Sequence, residues 1–245
     1  MIRPLLLCSL LAAAPAWSQE AAPKRTPDAG DPRVIATEGF LAAHPDLRWR
    51  RAGLESHVAG RNGEALASFQ RAARYADKPS QAMVAEMFWD GIGTPMDRPL
   101  AYAWMDIAAE RAYPRFLAKR EQYWNALTEE ERARALEVGR AVYDEYRDEV
   151  AKERLERVLR RERRNVTGSR VGSVGNLQVV IPGPGGNSIT IDGSRYYDKK
   201  YWEPARYWAW QDGIWKDAPT GSVTVNPLEV VRGDEPEGEP EDAPD

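Results

Sequence analysis

The feature that most constrains the fold is a segment that repeats within the chain at an offset of 36 residues. When residues 65–77 are placed over residues 101–113, Phe69 falls on Met105 and five alanines coincide. These are Ala65, Ala67, Ala72, Ala73 and Ala76 in the first copy and Ala101, Ala103, Ala108, Ala109 and Ala112 in the second. A self-match of about this period is typical of stacked helix pairs, because each repeat buries its apolar face against its neighbours. The sequence therefore predicts a helical repeat array, a fold whose usual function is to bind other proteins.

Capping and turn residues place the helices of this array. Gly91 follows a predicted helix end, Asp97 is a natural N-cap, and Thr128 with Glu131 forms a capping box. The predicted helices cover residues 45–59, 64–76, 80–90, 97–112 and 115–127, and one long charged helix runs from residue 128 to about residue 163. The long helix is expected to pack through residues spaced three or four apart, namely Leu136, Gly139, Tyr143, Tyr146, Val150, Leu155, Val158 and Leu159.

The N-terminal residues have the pattern of an export signal. Arg3 precedes an apolar run over residues 5–14, and Ala16 and Ser18 are the small residues that a signal peptidase reads. We expect residues 1–18 to be a secretory signal peptide, because the apolar run is too short to span a bilayer. Cys8 is the only cysteine and lies in this signal, so the mature chain is expected to lack disulfides and thiolate metal sites. The sequence predicts an exported bacterial protein, periplasmic or secreted, with no membrane span after cleavage.

The composition changes after Asn165. Short strands are predicted at residues 177–181 and 188–191, around a glycine-rich turn, and at residues 222–225. Tyrosines and tryptophans crowd together between residues 196 and 215. From Asp234 onward the tail has seven acidic residues, three prolines and no basic residue, which predicts disorder.

These observations predict a mainly α fold with six regions. It is a short α-solenoid with a long C-terminal capping helix, followed by a small aromatic-rich region whose β content the sequence leaves open. The regions are the signal peptide (1–18), a flexible lead-in (19–44), the repeats (45–127), the capping helix (128–164), a Gly/Trp/Tyr-rich module (165–232) and an acidic disordered tail (233–245).

Residues 82–109 resemble a Sel1-like repeat, a TPR-like family. The family pattern is an aromatic residue that ends a helix, a glycine-containing loop that leads to an aspartate, an alanine and tryptophan pair, and then two adjacent alanines. The matching residues are Phe88, Trp89, Gly91, Ile92, Gly93, Asp97, Ala101, Trp104, Ala108 and Ala109. The chain departs from the pattern at Val84-Ala85, where the family has a Leu-Gly pair, and at Arg111-Ala112, where a glycine is usual. The resemblance covers roughly residues 45–125 and implies an α-helical solenoid that binds proteins or peptides, without catalytic residues.

The sequence offers little for catalysis, and it predicts no cofactor and no metal site. Its two histidines are His44 and His57, and the Ser56-His57 neighbours are not a catalytic triad, which depends on geometry set by the fold. An envelope hydrolase that depends on His57 is therefore a weak third hypothesis. The glycine-rich stretch at residues 183–188 lacks the lysine of a phosphate-binding loop and is better explained as a tight turn. Export and the net charge of −4 argue against nucleic acid as a partner, although the arginines at residues 154–164 could bind an anion or the acidic tail.

Two kinds of partner remain, and each has candidate residues. The first is another envelope protein or peptide, bound in the groove of the repeat helices. The second is peptidoglycan or another glycan, stacked on the C-terminal tryptophans, whose large flat faces suit sugar rings, although those tryptophans could also form a small core. In an extended strand, Trp208 and Trp210 would share one face. The candidate partner-binding residues are Trp89, Tyr102, Trp104, Trp202, Tyr207, Trp208 and Trp210.

Overall fold

The computed structural model describes residues 27–166, 177–182 and 187–216. Several predictions lie outside these ranges and stay predictions. They are the signal peptide with Cys8, residues 19–26 of the lead-in, the turn at residues 183–186, the strand at residues 222–225 and the acidic tail at residues 233–245.

Helices make up most of the described part of the chain. The N-terminal helices are α1 (Pro32–Ile35), α2 (Glu38–Ala43), α3 (Pro45–Val58) and α4 (Asn62–Ala73). The central ones are α5 (Lys78–Asp90), α6 (Arg98–Ala108), a 3₁₀ helix (Ala109–Arg111), α7 (Pro114–Ala126), α8 (Glu129–Tyr146) and α9 (Asp148–Val166). The C-terminal elements are β1 (Gln178–Pro182), β2 (Ser188–Asp192), α10 (Gly193–Tyr196), α11 (Lys199–Trp202) and α12 (Pro204–Lys216). The predicted mainly α fold with a small β region is confirmed.

The repeated segment forms a run of packed helices. Helix α4 packs on α3 and α5, α5 packs on α6, and α6 packs on α7 and α8, which is the arrangement of a short α-solenoid. Small buried residues let the helices approach closely, and larger ones fill the gaps. Gly53 on α3, for example, lies so close to the Phe69 ring that a Cβ atom would be 2.5 Å from it. The first core is built from these helices and includes Ala65, Phe69, Val84, Met87, Trp104, Met105, Ile107 and Tyr113.

The helix ends follow the capping signals in the sequence. The Asp97 carboxylate accepts a hydrogen bond from the Leu100 amide at 3.1 Å. The Thr128 hydroxyl accepts one from the Glu131 amide at 3.2 Å, and the Glu131 carboxylate accepts one from the Thr128 amide at 3.0 Å. Gly91 ends α5 with a φ of +68°, a conformation that glycine adopts without steric cost. These caps confirm the predicted starts of α6 and α8 and the end of α5.

Two alanines show that the repeat extends to backbone conformation. Ala76 and Ala112, which are 36 residues apart, have φ values of +60° and +56°. Each follows the end of a repeat helix and precedes the start of the next helix. Left-handed backbone costs a residue with a Cβ atom about 1 kcal/mol or more. Both repeats therefore carry the same strained turn, and at Ala112 it falls where the Sel1-like pattern has a glycine.

We predict that Ala112→Gly stabilises the protein by about 0.5–1 kcal/mol, because glycine removes the strain and Ala112 is exposed. Thermal unfolding should show a rise in Tm of roughly 2 °C. The matched control is Ala76→Gly, which relieves the same strain but removes a methyl group that is 1% exposed. Losing the burial of this methyl group costs about 0.8 kcal/mol. Because this cost offsets the relieved strain, the stability of Ala76→Gly should be nearly unchanged. A lower Tm for Ala112→Gly would contradict the strain argument.

The prediction of one long helix from residue 128 to about residue 163 is wrong, because the chain turns at Arg147, whose ψ is 153°. Side chains from the repeats bond the backbone groups at this break. Gln81 donates to the Tyr146 carbonyl at 3.1 Å, and the Glu110 carboxylate accepts from the Asp148 amide at 2.9 Å. The break is therefore held by tertiary contacts and needs no proline or glycine in the sequence.

The lead-in predicted to be flexible is folded where the structure describes it. Val34 and Phe40 are fully buried in helices α1 and α2. The two ring nitrogens of His44 lie 2.8 Å from the carbonyl oxygens of Phe40 and Tyr201. The N-terminal segment is thus fixed to the C-terminal part of the chain, and the prediction for residues 27–44 is corrected.

The aromatic stretch is also helical and does not form the strand in which Trp208 and Trp210 would share a face. Pro204 opens α12, and the buried residues of α12 recur with a helical period at Tyr207, Trp208, Trp210 and Gln211. They pack with α9 and the N-terminal helices in a second core, which includes Val34, Phe40, Leu47, Ala151, Leu155, Leu159, Ile191, Tyr196, Tyr201 and Trp202. The C-terminal region therefore shares one hydrophobic core with α9 and the N-terminal helices.

The two strands predicted before this stretch are confirmed. β1 and β2 pair antiparallel, with Val180 opposite Thr190. Ile191 is buried in the second core with Val179 and Ile181 packed against it, whereas Val180 on the opposite face is exposed. The hairpin thus contacts the helices through one face.

Candidate interaction surface

Five of the seven candidate partner-binding residues lie in the interior. Trp104 is 4% exposed and packs against Tyr146 in the first core. The other four lie in the second core with exposures of 8% or less: Trp202, Tyr207, Trp208 and Trp210. A stacking surface for sugars built on these side chains is contradicted, because a ligand cannot reach their ring faces.

The polar atoms of the C-terminal tryptophans are also satisfied inside the protein. The indole N–H of Trp202 donates to the Tyr196 carbonyl at 2.7 Å, and that of Trp210 donates to the Asp28 carbonyl at 2.7 Å. The indole N–H of Trp208 donates to the Glu156 carboxylate on α9 at 3.1 Å. The Trp210 bond therefore joins α12 to the start of the described chain, and the Trp208 bond joins it to α9.

Trp89 is partly accessible, but its ring is already engaged. It stacks on Tyr123 with the ring centroids 3.8 Å apart and the planes 6° from parallel. The Arg98 guanidinium lies 5.2 Å from the centroid of the same ring. Trp89 thus packs α5 against α7 and the start of α6.

Tyr102 is the candidate that lies on an open surface. It lines a groove of about 400 Å³ between α6 and α8, which we call the α6–α8 groove. The floor of the groove is made by small residues, and its walls carry larger ones. The floor includes Ala103, Ala135 and Gly139, and the walls include Tyr102, Asp106, Leu136, Arg140, Tyr143 and Asp144.

The shape of the groove follows from small residues on both helices. A Cβ atom at Gly139 would lie 3.5 Å from the Cβ of Ala103, so the space between α6 and α8 there is about the size of one methyl group. Two long side chains of α8 beside this position extend into solvent. Leu136 is 62% exposed and Tyr143 is 51% exposed, seven residues apart on the same face. The result is an exposed apolar stripe on one wall of the groove, where the Arg147 guanidinium lies 5.2 Å from the centroid of the Tyr143 ring.

Charged groups surround this apolar stripe. Burial raises the pKa of Asp106, and the guanidinium of Arg120, 3.6 Å away, opposes the rise. Burial and the charge of Asp106 raise the pKa of Tyr102, which stays a neutral hydroxyl. An apolar centre with a polar rim is the usual anatomy of a protein interface, and a groove of this kind accepts an amphipathic helix.

A second cluster of charges is built around a buried lysine and, among the described residues, has no open pocket of its own. Lys78 is fully buried and forms ion pairs with Glu110 at 2.7 Å and Asp148 at 3.0 Å, and Arg111 pairs with Asp148 at 2.6 Å. Burial raises the pKa of Asp148, but the charges and hydrogen bonds of Arg111 and Lys78 outweigh burial and hold this pKa well below its usual range. The neighbouring cavity has a volume of about 10 Å³, the size of one water molecule. The cluster therefore joins α5, the 3₁₀ helix and α9 at the Arg147 break.

The histidines have structural partners. His57 Nδ1 lies 3.1 Å from the side-chain oxygen of Asn62. Burial lowers the pKa of His44 to about 4, although the carbonyl groups of Tyr201 and Phe40 beside its ring nitrogens favour the protonated ring. Within residues 27–166, 177–182 and 187–216, no three histidine, cysteine or acidic side chains are grouped so that they could hold a metal ion. None of the described helices is both long and apolar enough to cross a membrane.

The sequence predicted packing roles for the residues that form the groove wall. Leu136 and Tyr143 keep the spacing of the buried side of α8, but the residues that face the core are Ala135 and Val142, one position earlier. The apolar stripe of this helix is thus wider than the face that one neighbour can cover. The excess width of the apolar stripe was the feature of the sequence that could have indicated an exposed apolar surface on α8.

Comparisons with known proteins give little more. No family model and no curated protein match the chain. One matching solved structure is the crystal structure of a protective antigen present in uropathogenic Escherichia coli strains, described as displaying an SLR fold. The identity is 18%, the TM-score is 0.40, and the match covers 55% of this chain and 28% of that one, so the chain spans less than a third of the antigen's length. Membership of the Sel1-like family remains the prediction made from residues 82–109.

Proposed function

We propose that this chain is a Sel1-like repeat protein that acts as a non-enzymatic scaffold in the bacterial envelope. In this proposal the α6–α8 groove binds a segment of another polypeptide. The supporting observation is the pair of exposed apolar side chains, Leu136 and Tyr143, which stand beside a groove of about 400 Å³. The export part of the proposal rests on the apolar run at residues 5–14.

The proposed partner is an amphipathic segment, for two reasons. The groove follows two packed helices, so a third helix can lie along it and cover the apolar stripe. Asp106, Arg140 and Asp144 on the walls are charges of both signs, which suits a mixed polar rim on the partner. A glycan-binding role through the C-terminal tryptophans is not part of the proposal, because those rings are buried.

The proposal is tested by photo-cross-linking in the native cells, with a benzophenone amino acid at Tyr143. We expect a discrete protein adduct, because Tyr143 stands at the edge of the groove. Adding Leu136→Asp should reduce the adduct roughly tenfold, as expected for the loss of a central apolar contact. The adduct is quantified on blots and identified by mass spectrometry.

Two controls separate binding in the groove from general contact or misfolding. A probe at Val58, which is 88% exposed on α3, should give no such adduct. Leu54→Asp changes another exposed leucine, 46% accessible, and should leave the Tyr143 adduct unchanged. If the Tyr143 probe gave no adduct, or an adduct that Leu136→Asp did not reduce, the groove would not be the binding surface.

A further inference from the structure

A second surface, away from the α6–α8 groove, carries a surplus of positive charge. Four arginines line an open pocket of about 330 Å³ between the end of α4 and the middle of α9, and we call it the arginine pocket. Arg154, Arg157 and Arg161 come from one face of α9, since they are three and four residues apart. Arg74 follows α4 and completes the pocket from the other side.

The charges of this pocket are incompletely neutralised by the described residues around it. Both hydrogen bonds of Arg154 go to backbone carbonyls, those of Glu145 at 2.6 Å and Arg74 at 3.3 Å, which cancel no charge. Arg157 reaches the Glu153 carboxylate only at 4.0 Å, with both side chains 65% exposed.

The other two arginines of the pocket have carboxylate partners. Arg74 pairs with Glu145 and Arg161 pairs with Glu162. Since four guanidinium groups converge beside three carboxylates, the pocket keeps a positive surplus and favours an acidic occupant.

The chain itself carries a segment of matching chemistry. Residues 234–245 contain seven acidic residues and no basic residue. Helix α12 ends at Lys216 and lies against α9, where the Trp208 indole N–H donates to Glu156 at 3.1 Å. The 17 residues from 217 to 233 can span up to about 56 Å, more than the length of α9, which is about 29 Å. The acidic tail can therefore reach the pocket without strain.

We propose that residues 234–245 dock in the arginine pocket of the same molecule. The attraction is electrostatic and lies largely at the surface, so it weakens as the ionic strength rises. Docking is nevertheless favoured because the tail is tethered to the pocket, which gives it an effective concentration on the order of millimolar. The α6–α8 groove is built from other helices and does not depend on this contact.

The test uses a spin label at Ala243→Cys in the full chain, with Cys8→Ser so that the label attaches at a single site. We expect the label to broaden the amide NMR signals of residues 154–161 at low salt and to leave those around Leu136 unaffected. Raising the salt to about 0.5 M should restore the signals, because the Debye length then falls to a few ångströms. Equal broadening at Leu136, or none at residues 154–161, would overturn the proposal.

Charge reversal provides the matched pair of variants. Arg157→Glu should lower the docked fraction several-fold, since one attraction becomes a repulsion. Arg115→Glu reverses an exposed arginine on α7, outside the pocket, and should change nothing. Equal effects of the two variants would mean that only net charge matters, and the pocket assignment would be overturned.

A mixing experiment distinguishes docking within one molecule from docking between two. A chain that carries the spin label but no ¹⁵N is mixed with a ¹⁵N-enriched chain that carries no spin label. Only contacts between two molecules can then broaden the observed signals. The proposal predicts no broadening at residues 154–161 in this mixture. Broadening there would assign the pocket to the tail of a second copy and overturn docking within the molecule.

Discussion

Replacing Lys78 with alanine is expected to lower the free energy of unfolding by about 3–5 kcal/mol. The Lys78 ammonium is fully buried, where it bonds the Glu110 and Asp148 carboxylates, the Ile107 carbonyl at 2.8 Å and the Gln81 side chain at 3.1 Å. Without the ammonium, the Ile107 carbonyl and the Gln81 side-chain oxygen lose this donor in the interior, and the carboxylates of Glu110 and Asp148 lose the cation between them. Urea unfolding at pH 7, followed by circular dichroism, measures the loss.

The matched control is Lys152→Ala, because Lys152 bonds the same Asp148 carboxylate at 2.8 Å from a position that is 29% exposed. This pair joins residues four apart on one helix and reaches solvent, so its loss should cost less than about 1 kcal/mol. Similar costs for the two variants would contradict the view that the buried cation holds the Arg147 break together.

The second large effect is a dependence of stability on pH that originates at Asp46. Burial raises the pKa of this carboxyl to about 7, and the charge of Asp77 adds to the rise. In the unfolded chain an aspartate titrates near pH ~4, so the folded state binds the proton more tightly. The contribution of Asp46 to stability is thus fully present below about pH 4 and is lost as the pH rises to about 7. The loss amounts to about 4 kcal/mol.

Asp46→Asn should remove this dependence, because asparagine does not ionise and its side-chain oxygen can still accept the hydrogen bond from the Tyr207 hydroxyl. Between pH 4 and pH 8 the difference in unfolding free energy between variant and parent should shift by about 4 kcal/mol in favour of the variant. Taking this difference cancels the opposing contribution of His44, whose pKa burial lowers to about 4. Chemical denaturation at four pH values in this range measures the shift.

Asp144→Asn is the control for the same chemical change on the surface, since the Asp144 side chain is 78% exposed. Its difference from the parent should stay constant to within about 0.5 kcal/mol over the same pH range. A constant difference for Asp46→Asn as well would show that the Asp46 carboxyl titrates normally in the folded protein.

Local signals in the sequence predicted the repeat helices well. The alanine repeat, the glycine at the end of α5 and the caps at Asp97 and Thr128 each act within a few residues along the chain, so the sequence displays them directly. The strained alanines at the two repeat turns were not predicted. Alanine has no preference for a positive φ, so the residue type does not predict this conformation at Ala76 or Ala112. The packing of the flanking helices imposes it.

The parts that sequence reasoning missed depend on contacts between distant residues. The break at Arg147 relies on Glu110 and Gln81, which lie on other helices. The aromatic residues of α12 have high strand propensity, but packing against α9 and the N-terminal helices outweighs that preference. Of the candidate surface, Tyr102 was predicted, whereas Leu136 and Tyr143 were assigned to the interior because helical periodicity does not say how wide a face the neighbours cover.

The two cores differ in how far apart their contacts lie along the chain, and this sets an order of folding. Lys78 and Glu110 in the repeats are separated by 32 residues, whereas the second core joins Asp46 to Tyr207 across 161 residues and Asp28 to Trp210 across 182. Closing longer loops costs more entropy, and contacts between distant residues slow folding. During synthesis the repeats can therefore fold once residue 148 has emerged, while helices α1 and α2 wait for their aromatic partners. The first described residues to be made are thus among the last to find their native contacts.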